Sequence, residues 1–361
     1  MGYVILIHNP GVGNPGRPKF KNPIVCPDFL SRINSAPHPD RRGIIREEMK
    51  LMVQLSIQPL GRVWFSVAIF ALAIGAAMPQ SANAEGFKFD FKGSLGEAGG
   101  HKRYVPPLVN PLFNETPYIT TEARPLHLHY DLPSQFLTTG GTIDVTAVEV
   151  RVALTDRLGF IASKDGYVVA DFDAVLPDDN GFANISLGFK YAVVSKPKEQ
   201  AILTVGVEYE PPTGGVQTAG IDLQEGGDGF IDFFVTGAKA WDKFGLQGSF
   251  GYNHAIDGDH DNSMIHYSLH ADYELLPGFF PILELNGFTN VSDGTRTVGD
   301  FAGFDLVNFG TTDAGTVVTL AGGARYRLNE HVQFGIGYEA PITDREDIIN
   351  WKVAFDIVLT Y

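Results

Sequence analysis

Along the C-terminal two thirds of the chain, apolar and polar residues alternate with a period of two. The last stretch is the clearest: Trp351, Val353, Phe355, Ile357, Leu359 and Tyr361 hold the odd positions, while Lys352, Ala354, Asp356, Val358 and Thr360 hold the even ones. A period of two is that of a strand with one apolar and one polar face. The same alternation predicts twelve strands, over 120–132, 142–154, 157–171, 182–194, 201–211, 229–241, 244–255, 263–275, 279–289, 316–328, 331–342 and 350–361. Ser163-Lys164-Asp165-Gly166 interrupts the third, and Asp232 and Lys239 fall on opposite faces of the sixth. Either irregularity hides a bulge or a shifted boundary, so ten strands is the alternative count.

The connections sort into two classes. Those after the even strands are short (Thr155-Asp156, Ser195 to Gln200, Asp242-Lys243, Leu276-Pro277-Gly278, Asn329-Glu330), while those after the odd strands are longer and rich in Gly and Asp, the largest being Asn290 to Gly315. A soluble sandwich has no reason to segregate its loops by end, whereas a membrane barrel does. Eleven residues at about 3.3 Å each, tilted by roughly 40°, span about 27 Å, close to the ~25 Å apolar band of such a barrel. The predicted fold is therefore all-β: a transmembrane up-and-down antiparallel barrel over 120–361, closed because an open sheet edge in hydrocarbon leaves backbone groups unpaired. With this topology Tyr191, Trp241, Tyr273, Tyr326 and Tyr361 form a periplasmic aromatic girdle, and Tyr130, Tyr209, Tyr252, Tyr338 and Trp351 an outer one.

Upstream, Val63 to Ala77 is a fifteen-residue apolar run preceded by Lys50 and Arg62 and followed by Ala82-Asn83-Ala84. These are the parts of a secretory signal, assigned to 49–84 with cleavage before Glu85. Residues 1–48 then form an overhang read as a misassigned start, the alternative being a long regulatory extension. Cys26, the one cysteine of 361 residues, lies in it, so the remainder has neither a disulfide framework nor thiol chemistry. Residues 85–119 contain Val105-Pro106-Pro107, Asn110-Pro111 and Thr116-Pro117. Prolines at this density oppose helix and central strand, so the segment is placed in the periplasm or folded back into the barrel as a plug.

The formal charge is −15, and residues 1–84 carry nine basic against four acidic groups, so removing their net +5 leaves about −20. This excludes nucleic acid as a partner, since phosphate binding needs clustered positive charge.

Carried through the barrel, the same parity places His127, His129, Asp131, Glu149, Arg151, Lys190, Glu208, His266, His270, Asp272, Glu284, Arg325, Arg327, Glu339, Lys352 and Asp356 in the lumen. Two readings stand: an ion-pair network that supports the wall, or a polar track that selects solutes by size and charge. His127, His129 and Asp131 share one face and His266, His270 and Asp272 another, a spacing too open to define a metal site. Asp257-Gly258-Asp259-His260-Asp261-Asn262 begins like a calcium loop but has Asn262 at the turn glycine and Ser268 at the bidentate glutamate, so no metal or other cofactor is assigned. His254 and Ser263 share outward parity beside one external loop and are the candidate pair for a lipid hydrolase, without a third residue to orient the histidine.

Two resemblances follow. The signal, the alternation, the loop asymmetry and Val353 to Tyr361, a strand closing on an aromatic residue, resemble Gram-negative outer-membrane β-barrels. That resemblance implies the outer membrane as location, with its lipids, lipopolysaccharide and, through the C-terminal strand, the barrel-assembly machinery as partners. More locally, Ala153-Leu154-Thr155-Asp156-Arg157-Leu158 is similar to a repeated hairpin of transporters associated with meta-pathway phenol degradation, echoed weakly at Tyr326 to His331. It implies uptake of small, even aromatic, compounds. The functional expectation is a non-enzymatic channel for small-molecule solutes. The alternatives are an outer-membrane lipid hydrolase and a structural or adhesive barrel acting through its external loops.

Overall fold

A computed structural model describes residues 100–224, 227–296, 301–303, 305–310 and 315–361. The expected signal and the extension before it lie outside the described residues. Among the described residues sixteen strands run in chain order: β1 (Glu122–Asp131), β2 (Gly141–Ala153), β3 (Leu158–Ala162), β4 (Gly166–Phe172), β5 (Asp179–Phe182), β6 (Leu187–Lys196), β7 (Ala201–Glu210), β8 (Gln217–Thr218), β9 (Ile221–Asp222), β10 (Phe230–Trp241), β11 (Phe244–Ala255), β12 (Ser263–Tyr273), β13 (Phe279–Ser292), β14 (Thr316–Arg327), β15 (Val332–Pro341) and β16 (Trp351–Thr360).

Fourteen of them make one antiparallel sheet in which β1 pairs with both β16 and β2, so the sheet closes on itself. The wall has twelve staves, because β3 and β4 are two lengths of the third and β5 and β6 two lengths of the fourth. The tip of the chain completes the seam, where the Tyr361 amide donates to the Thr121 carbonyl at 2.9 Å. The small β8–β9 hairpin lies in the connection between β7 and β10.

The interruption at Ser163-Lys164-Asp165 is a local widening of the third stave. Val150 faces Ala162 and Ala147 faces Gly166, so three residues of one stave oppose two of the next. The fourth stave breaks at the same height, and only Ser163 N to Ser186 O and Ala183 N to Gly166 O bridge the break. β10 is regular. Asp232 faces in, and Lys239 faces out at the short-turn end, where its ammonium reaches the Glu199 carbonyl and lies 5.9 Å from the Trp241 ring. The long stem covers apolar surface while the charge stays at the interface.

The outer wall is apolar and exposed, with aromatic rings at its two rims: Tyr191, Trp241, Tyr273 and Tyr326 at the short-turn end, and Tyr209, Tyr252 and Tyr338 at the long-loop end. Tyr130, expected in the outer girdle, is instead fully buried inside. A closed sheet with an apolar belt and aromatic rims is stable only around hydrocarbon, so the protein is an outer-membrane β-barrel.

Candidate functional site: a plugged lumen

Residues 100–121 lie inside the barrel. The segment enters at the short-turn end, where Lys102 N donates to Gln200 Oε1 at 2.8 Å and Arg103 pairs with Asp272. It reverses in a turn closed by Asn114 N to Asn110 O, with Phe113 at the tip, and returns to β1 at the same end. The wall side chains explain why a proline-rich stretch can be buried. Pro106 and Pro107 carry carbonyls but no amide hydrogens, and cations of the wall donate to them: Arg325 Nε to Pro106 O at 2.6 Å, Arg325 Nη2 to Pro107 O at 3.0 Å, and Arg124 Nη2 to Pro107 O at 2.8 Å. Gln333 and Arg327 donate to Tyr104 O, Lys190 to Thr116 O, Thr204 to Pro117 O and Thr236 to Glu115 O. Where the plug does offer amides, a carboxylate receives them: Leu108 N and Val109 N donate to the two oxygens of Glu284 at 2.7 and 3.0 Å, and His270 Nδ1 adds a third bond at 2.7 Å.

The charges form one continuous chain through the middle of the lumen. Lys190 meets Glu115 at 2.6 Å, Glu115 meets Arg151 at 2.5 Å, Arg151 and Arg124 share Glu149 at 3.1 Å, and Arg124 meets Asp356 at 2.6 Å. Arg325 ends the chain with a two-pronged bond to Asp356, and Glu122 joins it through Arg151 and Tyr104. Four cations balance four carboxylates, and the plug supplies one of them, Glu115. At the long-loop end Lys352 meets Glu339 at 2.6 Å and Asp305 at 2.7 Å. Asp305 belongs to the β13–β14 connection, whose Leu306, Val307 and Phe309 are buried in the same apolar cluster as Leu108 and Val109 of the plug. The lumen is therefore filled from both ends.

Of the sixteen residues expected to line the lumen, thirteen face it: Glu149, Arg151, Lys190, Glu208, His266, His270, Asp272, Glu284, Arg325, Arg327, Glu339, Lys352 and Asp356. His127, His129 and Asp131 do not, which corrects the parity assigned to the first strand. Leu126, Leu128 and Tyr130 point inward there, because the adjacent plug residues Val105, Leu108 and Val109 are themselves apolar. The histidines lie on the outer wall, where His127 Nδ1 is 3.1 Å from Thr146 Oγ1 and His129 Nδ1 donates to Asp144 at 2.8 Å. The same parity error hid Glu122 and Arg124. A signal was present in the hairpin register, since Glu122 stands opposite Arg151 and Arg124 opposite Glu149. Arg103 and Glu115 of the plug were out of reach of any periodicity.

The hydrolase pair is not formed. Ser263 is buried with its hydroxyl accepting the Ala255 amide at 3.0 Å, while His254 is exposed and stacked on Tyr252. In the acidic loop, Asp257 Oδ1 accepts the amides of Asp259 and His260, which closes a turn.

The wall, belt and plug together define a plugged outer-membrane β-barrel. Among solved structures the chain is similar to an outer membrane channel from Pseudomonas putida F1, with a TM-score of 0.51 and 15% identity over 72% of this chain and 100% of that one. It is also similar to the NanC porin (TM-score 0.42, 9% identity, 66% and 98% covered) and the KdgM porin (0.39, 9%, 66% and 99%). No protein-family model matches the sequence, and no curated protein matches it.

Proposed function

We propose that the protein is a channel for small solutes whose gate is the segment 100–121. The supporting observation is the way that segment is held: by hydrogen bonds from wall side chains to its carbonyls and by the ion pairs of Arg103 and Glu115, with no covalent link to the wall beyond its own continuation into β1. Guanidinium and carbonyl groups that part as the plug leaves are met by the water that enters, so each such bond contributes about 1.5–3 kcal/mol net rather than a full desolvation cost. Displacing the plug is then an equilibrium step, and the charged wall it uncovers is a polar track for a permeating solute. The described part of the β13–β14 loop folds into the mouth, which favours a gating role for it over an adhesive one. The local hairpin similarity at 153–158 supports small aromatic compounds among the solutes. Strand β16 is the element for engagement by the barrel-assembly machinery.

Locking the gate tests this reading. A Cβ at position 337 would stand 2.8 Å from Val109 Cγ1, within reach of a disulfide, whose Cβ atoms are about 3.8 Å apart. In a Cys26→Ser background, Val109→Cys with Gly337→Cys should abolish openings in planar bilayers under oxidising conditions and restore them on reduction. Conductance indifferent to the crosslink, or absent from the unlocked chain, would overturn the proposal.

A further inference from the structure

His270 sits between the two carboxylates that hold the plug. It shares the inward face of β12 with Asp272 and stands opposite Glu284 of β13 and Gln247 of β11. His270, Asp272 and Glu284 are each no more than 3% exposed. His270 Nδ1 is 2.7 Å from Glu284 Oε1, so that nitrogen carries a proton. Its Nε2 lies 3.6 Å from Asp272 Oδ2 and has no hydrogen bond among the described residues. A bare Nε2 would turn a lone pair toward a carboxylate inside the plugged lumen, whereas a protonated one meets that carboxylate with a donor and a charge.

The plug is tied to both carboxylates. Arg103 Nε donates to Asp272 Oδ1 at 3.1 Å, and the Leu108 and Val109 amides donate to Glu284. Arg103 also reaches Glu274, in the turn after β12, at 3.9 Å, and lies 5.3 Å from the Phe280 ring, which Arg327 of β14 approaches to 4.9 Å. β11 adds no charge at this level, since its Gln247 is neutral and donates to Val105 O. Tyr118 of the plug, within electrostatic range of Asp272, adds a neutral phenol. With both imidazole nitrogens protonated, Arg103, His270 and Arg327 balance Asp272, Glu274 and Glu284. With one proton gone the group carries a net negative charge, which a lumen emptied of water by the plug solvates poorly.

We propose that His270 is a proton-operated latch: its imidazolium joins Asp272 to Glu284 and keeps the plug seated, and loss of its proton loosens the plug. When the plug leaves, water reaches all three side chains and supplies the solvation that the seated plug denies them. The plugged state therefore binds the proton more tightly than the open one, so seating is strongest at low pH and weakens as the pH rises. That the latch serves a gate rests on the channel reading.

The folded full chain in detergent micelles is followed by nitrogen NMR of its imidazoles, the His270 signals being those lost in His270→Gln, and by hydrogen exchange at the Leu108 and Val109 amides. Both His270 nitrogens should be protonated at about pH 5, below the ordinary imidazole value of about 6.5. From there to about pH 9, exchange corrected for its intrinsic pH dependence should accelerate about tenfold or more. His270→Gln, neutral at every pH, should remove the acceleration. Asp272→Asn takes away one of the three carboxylates, which makes the neutral imidazole the balanced form, so it should remove the acceleration too and serves if the first variant does not fold. A bare His270 nitrogen at about pH 5, exchange that stays level or slows as the pH rises, or an acceleration kept in a folded variant would overturn the latch. Because neither measurement depends on conduction, a chain that conducts with level exchange loses only the latch. One with the pH trend but no conductance loses only the channel reading.

Discussion

Arg325 reaches Asp356 across Gly335. The three residues lie in one row on β14, β15 and β16, with Arg325 opposite Gly335 and Gly335 opposite Asp356. Two bonds of 2.8 and 2.6 Å join the outer pair over the bare backbone of the middle one. A Cβ at Gly335 would stand 2.5 Å from Asp356 Oδ1 and 2.9 Å from both Arg325 Nη1 and Leu108 Cδ1 of the plug. Gly335→Val should therefore part the ion pair and unseat the plug, lowering stability by about 1–3 kcal/mol as an overpacked site does. Gly322→Ala on the outer wall, where a Cβ meets nothing within 4 Å, should be neutral. Urea unfolding of the two variants in vesicles checks the contrast.

Glu284 is the acceptor on which the middle of the plug hangs. Glu284→Gln keeps the shape of the side chain but has one acceptor oxygen in place of two, so the donors Leu108 N, Val109 N and His270 Nδ1 can no longer all be met. A buried donor left unpaired costs about 1–3 kcal/mol. Trypsin cleavage after Lys102 or Arg103 should accelerate about tenfold or more while the barrel itself stays folded. An unchanged cleavage rate would mean that the plug is held elsewhere.

Much of this architecture is legible in the sequence, because a wall between lipid and water imposes its period on every stave. Strand limits such as 201–210, 230–241 and 244–255 follow the alternation to within a residue, and the break at Ser163-Lys164-Asp165 is visible as a lapse in it. The first stave is where the rule fails. Its lumen side meets the apolar stretch Val105 to Val109 instead of water, so Leu126, Leu128 and Tyr130 turn inward and His127 and His129 turn out. The plug contacts themselves, such as Arg325 with Pro106, join positions 219 residues apart, and no local pattern encodes them.

Asp347, in the β15–β16 connection, ties that loop to the neighbouring one by accepting the amides of Ala302 and Gly303 at 2.7 and 2.9 Å. Burial pushes its carboxyl up from the ordinary 3.8 to about 6, against the pull of those amides and of Arg345. A raised value means that the docked state binds the proton more tightly than the undocked state. Docking is then strongest below about pH 4 and weakens as the pH rises through 6. Hydrogen exchange at Ala302 and Gly303, corrected for its intrinsic pH dependence, should lose protection over that window, and Asp347→Asn should remove the trend. Protection that increases with pH would reverse the assignment.

Phe355 and Asp356 are neighbours in sequence and belong to different solvents. Phe355 is 43% exposed on the outer wall, and Asp356 is 1% exposed and receives Arg124 and Arg325. Moving a charge by one position along β16 should therefore change the sign of its effect. Phe355→Arg puts an unpaired cation near the middle of the hydrocarbon, at a cost of about 2–4 kcal/mol. Asp356→Phe removes the shared partner of two buried guanidinium groups, at about 3–5 kcal/mol, because Arg325 stays behind without a carboxylate and Arg124 keeps only Glu149. The two losses differ in their remedy. A thinner bilayer brings the first site closer to the interface and should reduce its penalty, whereas the second is set by the lumen and should not respond to lipid length. Unfolding free energies of both variants in vesicles of short and long phosphatidylcholines measure this difference, and an equal response to chain length would show that the two faces of β16 have been assigned wrongly.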